Sequence, residues 1–303
     1  MSMHSRFALL PLPLLLLAAC NSGTSNTTNL TMKGSDTEVQ LVSNLAEEFA
    51  KRDSSARLSV TGGGSATGIA SLLNGEIDIA NSSRQMSDAE RAQARERGID
   101  LQEFILARDG LSIVLHPTNP VITLSMQQLS DVYSGRATRW KDIGGSDAPI
   151  VLYGRQSTSG TFGFFRDTVV KDDYASSMRN MEGSQAIVDA VRADANGIGY
   201  VGVGYVKDGQ GNVREGITVI PIAQNTDTPV SPLDREAVKR GDYPISRPIY
   251  QYLPAVPPRG SLVESFLLFE ASGDGQAIVE ASGFYAITAE DVQQNAILFA
   301  KIR

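Results

Sequence analysis

The sequence predicts an α/β protein built as two lobes. From residue 30 onward, short apolar runs alternate with amphipathic helical stretches, the pattern of strands joined by helices. At 303 residues, two lobes are more natural than one continuous sheet. Loops of Gly, Ser and Thr recur where a strand hands over to a helix.

Leu30 to Lys33 reads as a first strand, and Gly34-Ser35-Asp36-Thr37 turns into a helix. That helix directs Val39, Leu41, Val42, Leu45, Ala46 and Phe49 inward and Glu47, Glu48, Lys51 and Arg52 outward. Arg57 to Thr61 alternates as a second strand; Gly62-Gly63-Gly64-Ser65 opens a helix over 66–73 that Asn74-Gly75 stops. Ile77 to Ala80 is a third strand, and Ser87 and Glu90 form a helix start with its capping residues. Phe104 to Ala107 and Leu111 to His116 read as strands on either side of Arg108-Asp109-Gly110. A helix near 125–134, a strand over 150–153 and a helix over 160–170 follow, then a helix over 184–193 and strands over 198–203 and 217–222. A late strand over 249–253 and helices over 261–269 and 291–300 complete the chain. The alternation implies largely parallel sheets. Lobe crossings fall near 108–113 and 218–223, giving a discontinuous first lobe of 30–110 and 221–303 and a second lobe of 111–220.

The N-terminus reads as an address. Arg6 is followed by an apolar run from Phe7 to Leu17, broken by Pro11 and Pro13, too short to span a bilayer stably. Leu17-Ala18-Ala19-Cys20 resembles the lipobox of bacterial lipoproteins, in which cleavage leaves the cysteine as an acylated, palmitate-bearing N-terminus. The alternative is an ordinary secretory signal with a coincidental cysteine. The expectation is a lipoprotein signal peptide over 1–19, lipidation at Cys20, a flexible tether over 20–29, and a mature protein held to a membrane by its lipid.

Composition narrows the chemistry. A net charge of -7 excludes a broad basic surface for nucleic acid, so an anion would be held by local dipoles and a few aimed donors. The single cysteine excludes an intramolecular disulfide and a cysteine-based zinc site. Of the two histidines, His4 lies in the signal and His116 reads as a strand-end residue. Gly63 to Gly68 is followed by Ile69, so no nucleotide P-loop is formed, and no nucleophile elbow surrounds Ser65 or Ser159. Gly197-Ile198-Gly199-Tyr200-Val201-Gly202 matches the dinucleotide pattern but lacks the helix that must follow it.

Three loops share one design. Gly34 to Thr37, Gly62 to Gly68, and Arg155-Gln156-Ser157-Thr158-Ser159-Gly160-Thr161 each end a strand, pass through small residues and start a helix with Ser or Thr. Helix N-termini leave N–H groups unpaired, and small residues let an anion approach them. Any one such loop is equally a plain cap. Arg155, four residues before Ser159, adds a guanidinium able to bind two anion oxygens.

These loops, with Asp78-Ile79-Ala80-Asn81-Ser82-Ser83-Arg84, Gly197 to Val201 and Pro244-Ile245-Ser246-Arg247-Pro248-Ile249-Tyr250, occur in an order that resembles the phosphate-binding subunits of bacterial ABC importers. The resemblance covers nearly all of 30–303. It implies a type II periplasmic-binding fold with a hinge and an anion cleft between lobes. It further implies high-affinity extracytoplasmic capture of inorganic phosphate and delivery to an ABC permease in the inner membrane, with no cofactor and no catalysis. Carried over by motif, the anion would be held by Thr37, Ser65, Ser83, Arg155, Ser159, Gly160 and Thr161. The family's third loop often carries an Asp that accepts the proton of hydrogen phosphate; here Ser83 and Arg84 stand there. Asp36 is either the replacement acceptor or a plain N-cap, and Arg84 is a second possible anion ligand. Competing readings are another tetrahedral oxyanion (sulfate, molybdate, tungstate), a periplasmic phosphoesterase, and an anchored phosphate sensor.

Overall fold

The computed structural model describes residues 1, 28–208, 210–224 and 228–302. The signal segment after Met1 and the lipidation candidate Cys20 lie outside the described residues.

The chain begins with β1 (Thr28–Gly34), α1 (Val39–Arg52), β2 (Ala56–Thr61), α2 (Ser65–Leu73), β3 (Ile79–Ser82), α3 (Asp88–Glu96) and β4 (Gln102–Gly110). It crosses at Leu111 into β5 (Ser112–Leu115), β6 (Leu124–Ser125), α4 (Met126–Tyr133), β7 (Val151–Arg155), α5 (Gly160–Phe165), β8 (Arg179–Met181), α6 (Ser184–Ala193), β9 (Gly197–Val201) and β10 (Thr218–Ile220). It then returns through β11 (Ile222–Ala223), α7 (Arg235–Arg240), β12 (Ser246–Leu253), α8 (Leu262–Ala271), α9 (Gly273–Ala281) and α10 (Ala289–Lys301). One sheet has the order β2-β1-β3-β12-β4, the other β10-β5-β9-β7-β8, and β11 pairs with β6 in a separate ribbon.

Local chemistry accounts for the helices that flank the site. α1 buries Leu41, Val42, Leu45, Ala46 and Phe49 on one face, and Phe49 meets Phe266 of α8 edge-on at 5.4 Å between ring centroids. Each such buried Leu or Phe stabilises the fold by about 1.5–3 kcal/mol. α3, α4 and α10 start with complete capping boxes, at Ser87/Glu90, Ser125/Gln128 and Thr288/Asp291.

Both sheets are mixed rather than largely parallel. β1 runs parallel to β2 and β3, but β12 is antiparallel to β3 and β4. In the other sheet β7 is parallel to β8 and β9, while β5 is antiparallel to β9 and β10. β5 arrives directly from β4 of the other sheet instead of through a βαβ crossover, so nothing forces it parallel.

Further differences have local causes. β1 begins at Thr28, inside the expected tether, because Thr28 and Asn29 pair with Ala56 and Arg57. β3 starts two residues later than expected, since Asp78 is occupied in accepting from the Thr31 N–H at 2.8 Å. Arg108-Asp109-Gly110, left between two strands by the sequence, continues β4: Arg108 is paired with Asp291 and Asp109 with Arg247, so neither charge needs water. Pro248, opposite Arg108, has no N–H to give, and the Arg108 carbonyl instead accepts from the Tyr285 N–H at 3.0 Å. α7 and α9 fall in stretches to which the sequence pattern assigns no element; α9 begins with Gly273-Asp274-Gly275, a composition that hides a helix capped by Ser272.

Candidate functional site

Three loops at the carboxyl ends of β1, β2 and β3 face the loop between β7 and α5, the position where open α/β sheets place ligands. Their hydroxyls meet in one buried cluster. Thr37 Oγ1 lies 2.7 Å from Thr161 Oγ1, Thr161 Oγ1 lies 3.3 Å from Ser83 Oγ, and Ser83 Oγ lies 3.5 Å from Ser65 Oγ. The Ser83 N–H donates to Ser65 Oγ at 3.1 Å, and the Thr161 N–H donates to Ser159 Oγ, the N-cap of α5, at 3.2 Å.

Glycine makes this approach feasible. A Cβ on Gly160 would sit 2.3 Å from Ser65 Oγ and 2.8 Å from Ser83 Oγ. Gly64, at φ +95°, brings its backbone so close to the fourth loop that a Cβ would lie 2.6 Å from the Thr158 carbonyl, which accepts from the Ala66 N–H at 3.0 Å.

Arg155, at the end of β7, is 1% exposed. Its Nη2 donates to Asp36 Oδ2 at 2.5 Å and to the Glu182 carbonyl at 3.1 Å, and its Nη1 donates to Ser184 Oγ at 3.1 Å. Its buried Nε has no partner among the described residues. The Arg155 N–H donates to the Tyr200 hydroxyl at 3.1 Å; burial pushes that phenol up to about 12, so it stays neutral.

Asp36 is not the N-cap of α1, a place taken by Glu38. Its carboxylate spans the two halves of the molecule, accepting from Arg155 and, through Oδ1, from the Gly63 N–H at 2.8 Å. Arg84, a second-ligand candidate, is held by a carboxylate. Both its terminal nitrogens donate to Glu90, each at 2.7 Å, and Glu90 is itself fixed by the Ser87 N–H of the α3 capping box.

Motif reading assigned no role to Arg247 or Asp109. Arg247 Nε and Nη2 donate to Asp109 Oδ2 at 3.0 and 2.8 Å, Nη1 donates to the Ser83 carbonyl at 2.8 Å, and Nη2 donates to Thr161 Oγ1 at 3.1 Å. The available signal was the arginine itself, set beside Pro248 and Ile249 in a strand where a buried charge requires a partner. A cavity of about 470 Å³ opens beside the cluster, with Ser159 and Arg247 in its wall.

Chemically the site offers donors. The partners of Thr161 Oγ1 are hydroxyls and a guanidinium, and those of Ser65 Oγ are the Ser83 hydroxyl and N–H; none of these is a base able to activate a nucleophile. His116 lies elsewhere, bonded to Thr118 at 2.8 Å.

Known proteins place this arrangement. A family model described as a PBP superfamily domain matches residues 21–273. The phosphate-binding protein PstS of Staphylococcus epidermidis is 30% identical over 258 residues, 84% of this chain and 77% of that one. A solved Clostridium perfringens structure, described as a phosphate ABC transporter substrate-binding protein with bound phosphate, is 26% identical, with a TM-score of 0.73 over 86% of this chain and 100% of that one. A Vibrio cholerae structure described as an ABC-type phosphate transport receptor is 25% identical, with a TM-score of 0.67 over 84% and 99%. By family model, by sequence and by its two-lobed type II periplasmic-binding fold, the chain belongs to the PBP superfamily and, within it, to the PstS family of phosphate-binding proteins.

Proposed function

We propose that the protein binds inorganic phosphate outside the cytoplasm and delivers it to an ABC permease in the inner membrane, without chemistry on the ligand. The observation that carries this reading is the buried Nε–H of Arg155, left without a partner among the described residues on a side chain that bonds Asp36 of the first loop. An unsatisfied buried donor costs about 1–3 kcal/mol, and more when it is charged. Arginine does not titrate in proteins, so an anion is the natural partner.

The anion is held by Arg155 together with Thr37, Ser65, Ser83, Ser159, Gly160 and Thr161. Closure of the two lobes brings these groups together. Asp36 with Arg155, Thr37 with Thr161, and Ala66 with Thr158 already join them across the cleft. Each oxygen of the Asp36 carboxylate keeps a further lone pair beyond the bonds described, so it accepts the proton of hydrogen phosphate in place of the family's third-loop Asp. Fully deprotonated sulfate offers no such proton. The Leu17-Ala18-Ala19-Cys20 motif supports anchoring of the mature protein through acylated Cys20.

Calorimetry on residues 21–303, stripped of ligand, with phosphate and sulfate in parallel across pH, tests the reading. Phosphate is expected to bind at least about 100-fold more tightly than sulfate, equivalent to about 2.8 kcal/mol. No phosphate binding between nanomolar and millimolar concentration sinks the receptor reading, whereas equal binding of sulfate replaces phosphate by a broader oxyanion specificity.

A further inference from the structure

Arg247 and Asp109 are cross-strand partners at one end of β12 and β4, beside the point where the chain leaves the first sheet. Both are fully enclosed, with side chains 2% and 0% exposed. Such a buried ion pair contributes little net stability compared with well-packed apolar side chains, so stability alone does not explain it. Its contacts suggest what does. Asp109 holds the guanidinium through Oδ2 and accepts from the Val203 N–H through Oδ1 at 2.8 Å; the Phe164 ring lies 5.0 Å from the guanidinium carbon. The fixed guanidinium then reaches the Ser83 carbonyl on one side of the cleft and Thr161 Oγ1 on the other.

The polarity of that last bond is forced. A guanidinium has no acceptor and does not lose its proton, so Thr161 Oγ1 must accept from Arg247. The single Thr161 hydroxyl proton is therefore available to point into the cluster, towards Thr37 or a bound anion. We propose that Arg247 is a positioning residue for anion capture, orienting the Thr161 hydroxyl as a donor and tying the Ser83 loop to α5 when the lobes close. This rests on the phosphate-receptor reading above.

A double-mutant cycle on the full mature chain tests it, with phosphate binding by calorimetry and folding by thermal unfolding. Arg247→Lys keeps a charge for Asp109 but cannot reach Asp109, Ser83 and Thr161 in the same fork geometry. It is expected to weaken phosphate binding about tenfold. In a Thr161→Val background, where the hydroxyl is gone, the same change should cost less than about twofold. A purely structural role would instead lower affinity by the same factor in both backgrounds, and that additive result overturns the proposal. If Arg247→Lys does not fold, the isosteric Asp109→Asn loosens the guanidinium and is read through the same cycle; wild-type affinity in Asp109→Asn is equally fatal. Wild-type protein that binds no phosphate refutes the receptor reading itself, while wild-type binding with an additive cycle refutes only the role of Arg247.

Discussion

Two buried polar regions have opposite deficits. The cleft has a surplus of donors: among the described residues Arg155 Nε is unpartnered, and the hydroxyls of Thr37, Ser65, Ser83 and Thr161 gather in one cluster. Behind it, where α1, β12 and α8 converge, is a surplus of acceptors: both carboxylate oxygens of Glu38, Gln251 Oε1 and Glu270 Oε2 have no partner. Gln251 Nε2 is the donor recorded there, bonding to Asn81 Oδ1 at 3.2 Å and to Glu270 Oε1 at 3.1 Å. The two deficits are relieved by different means. A carboxylate can take up a proton, and burial pushes both glutamates well above the usual carboxylate range. A guanidinium has no equivalent escape, so its region calls for a ligand. Unpaired acceptors thus mark a proton-holding core, and unpaired cationic donors mark the binding site.

The largest expected effect breaks the donor side. Arg155→Ala removes the charge-assisted bond to the anion and the partner of Asp36, and phosphate affinity should fall about 10- to 100-fold while the fold survives. Unchanged affinity by calorimetry would mean that the anion lies elsewhere. A smaller loss, about three- to tenfold, is expected for Ser65→Ala, which deletes one neutral hydroxyl and leaves the Ser83 N–H without its acceptor. Equal losses for the two variants would show that the Arg155 charge carries no special weight.

The loops of this donor side were the most legible part of the sequence, because the glycines and hydroxyls sit in contiguous motifs. Thr37, Ser65, Ser83, Ser159 and Thr161 meet in space as their motif order implied. Long-range partners were not legible. Arg247 and Asp109 are 138 positions apart and become a pair through strand register, which local spacing does not reveal. The pairing of Arg84 was hidden for the same reason: Ser83-Arg84 resembles a ligand pair, and local spacing does not reveal that Glu90, six residues on, bonds the guanidinium. In the fold, amphipathic helices such as α1 carried a clear period. The parallel or antiparallel sense of β4, β5 and β12 depended on where the chain changes lobe, and no hydrophobic pattern encodes that choice.

The acceptor side yields a prediction in pH. Because the folded chain holds Glu38 protonated above the range where the unfolded chain releases that proton, the folded state binds more protons and stability falls as pH rises. The loss begins near the unfolded carboxylate pKa of about 4.3 and continues up to the raised folded value. Glu38→Gln keeps the shape and removes the titration. Its melting temperature relative to wild type should therefore climb steadily between about pH 5 and pH 8. A pH-independent difference between the two proteins would show that Glu38 is ionised and paired in solution.

The smallest effect is expected from Arg84→Ala, which separates the two arginines that motif reading had grouped. Arg155 keeps a buried donor unpaired, whereas both terminal nitrogens of Arg84 are engaged by Glu90 at 2.7 Å, in a pair whose side chains are 19% and 20% exposed. Deleting Arg84 should cost at most about 1 kcal/mol of stability, through the lost pair and a loosened start of α3. Phosphate affinity should change less than about twofold, since Glu90, not the anion, takes up the Arg84 charge. A loss comparable to that of Arg155→Ala would mean that phosphate draws Arg84 off Glu90 when it binds. The donor surplus would then extend to the third loop, and the distinction between Arg155 and Arg84 would hold for the unliganded protein alone.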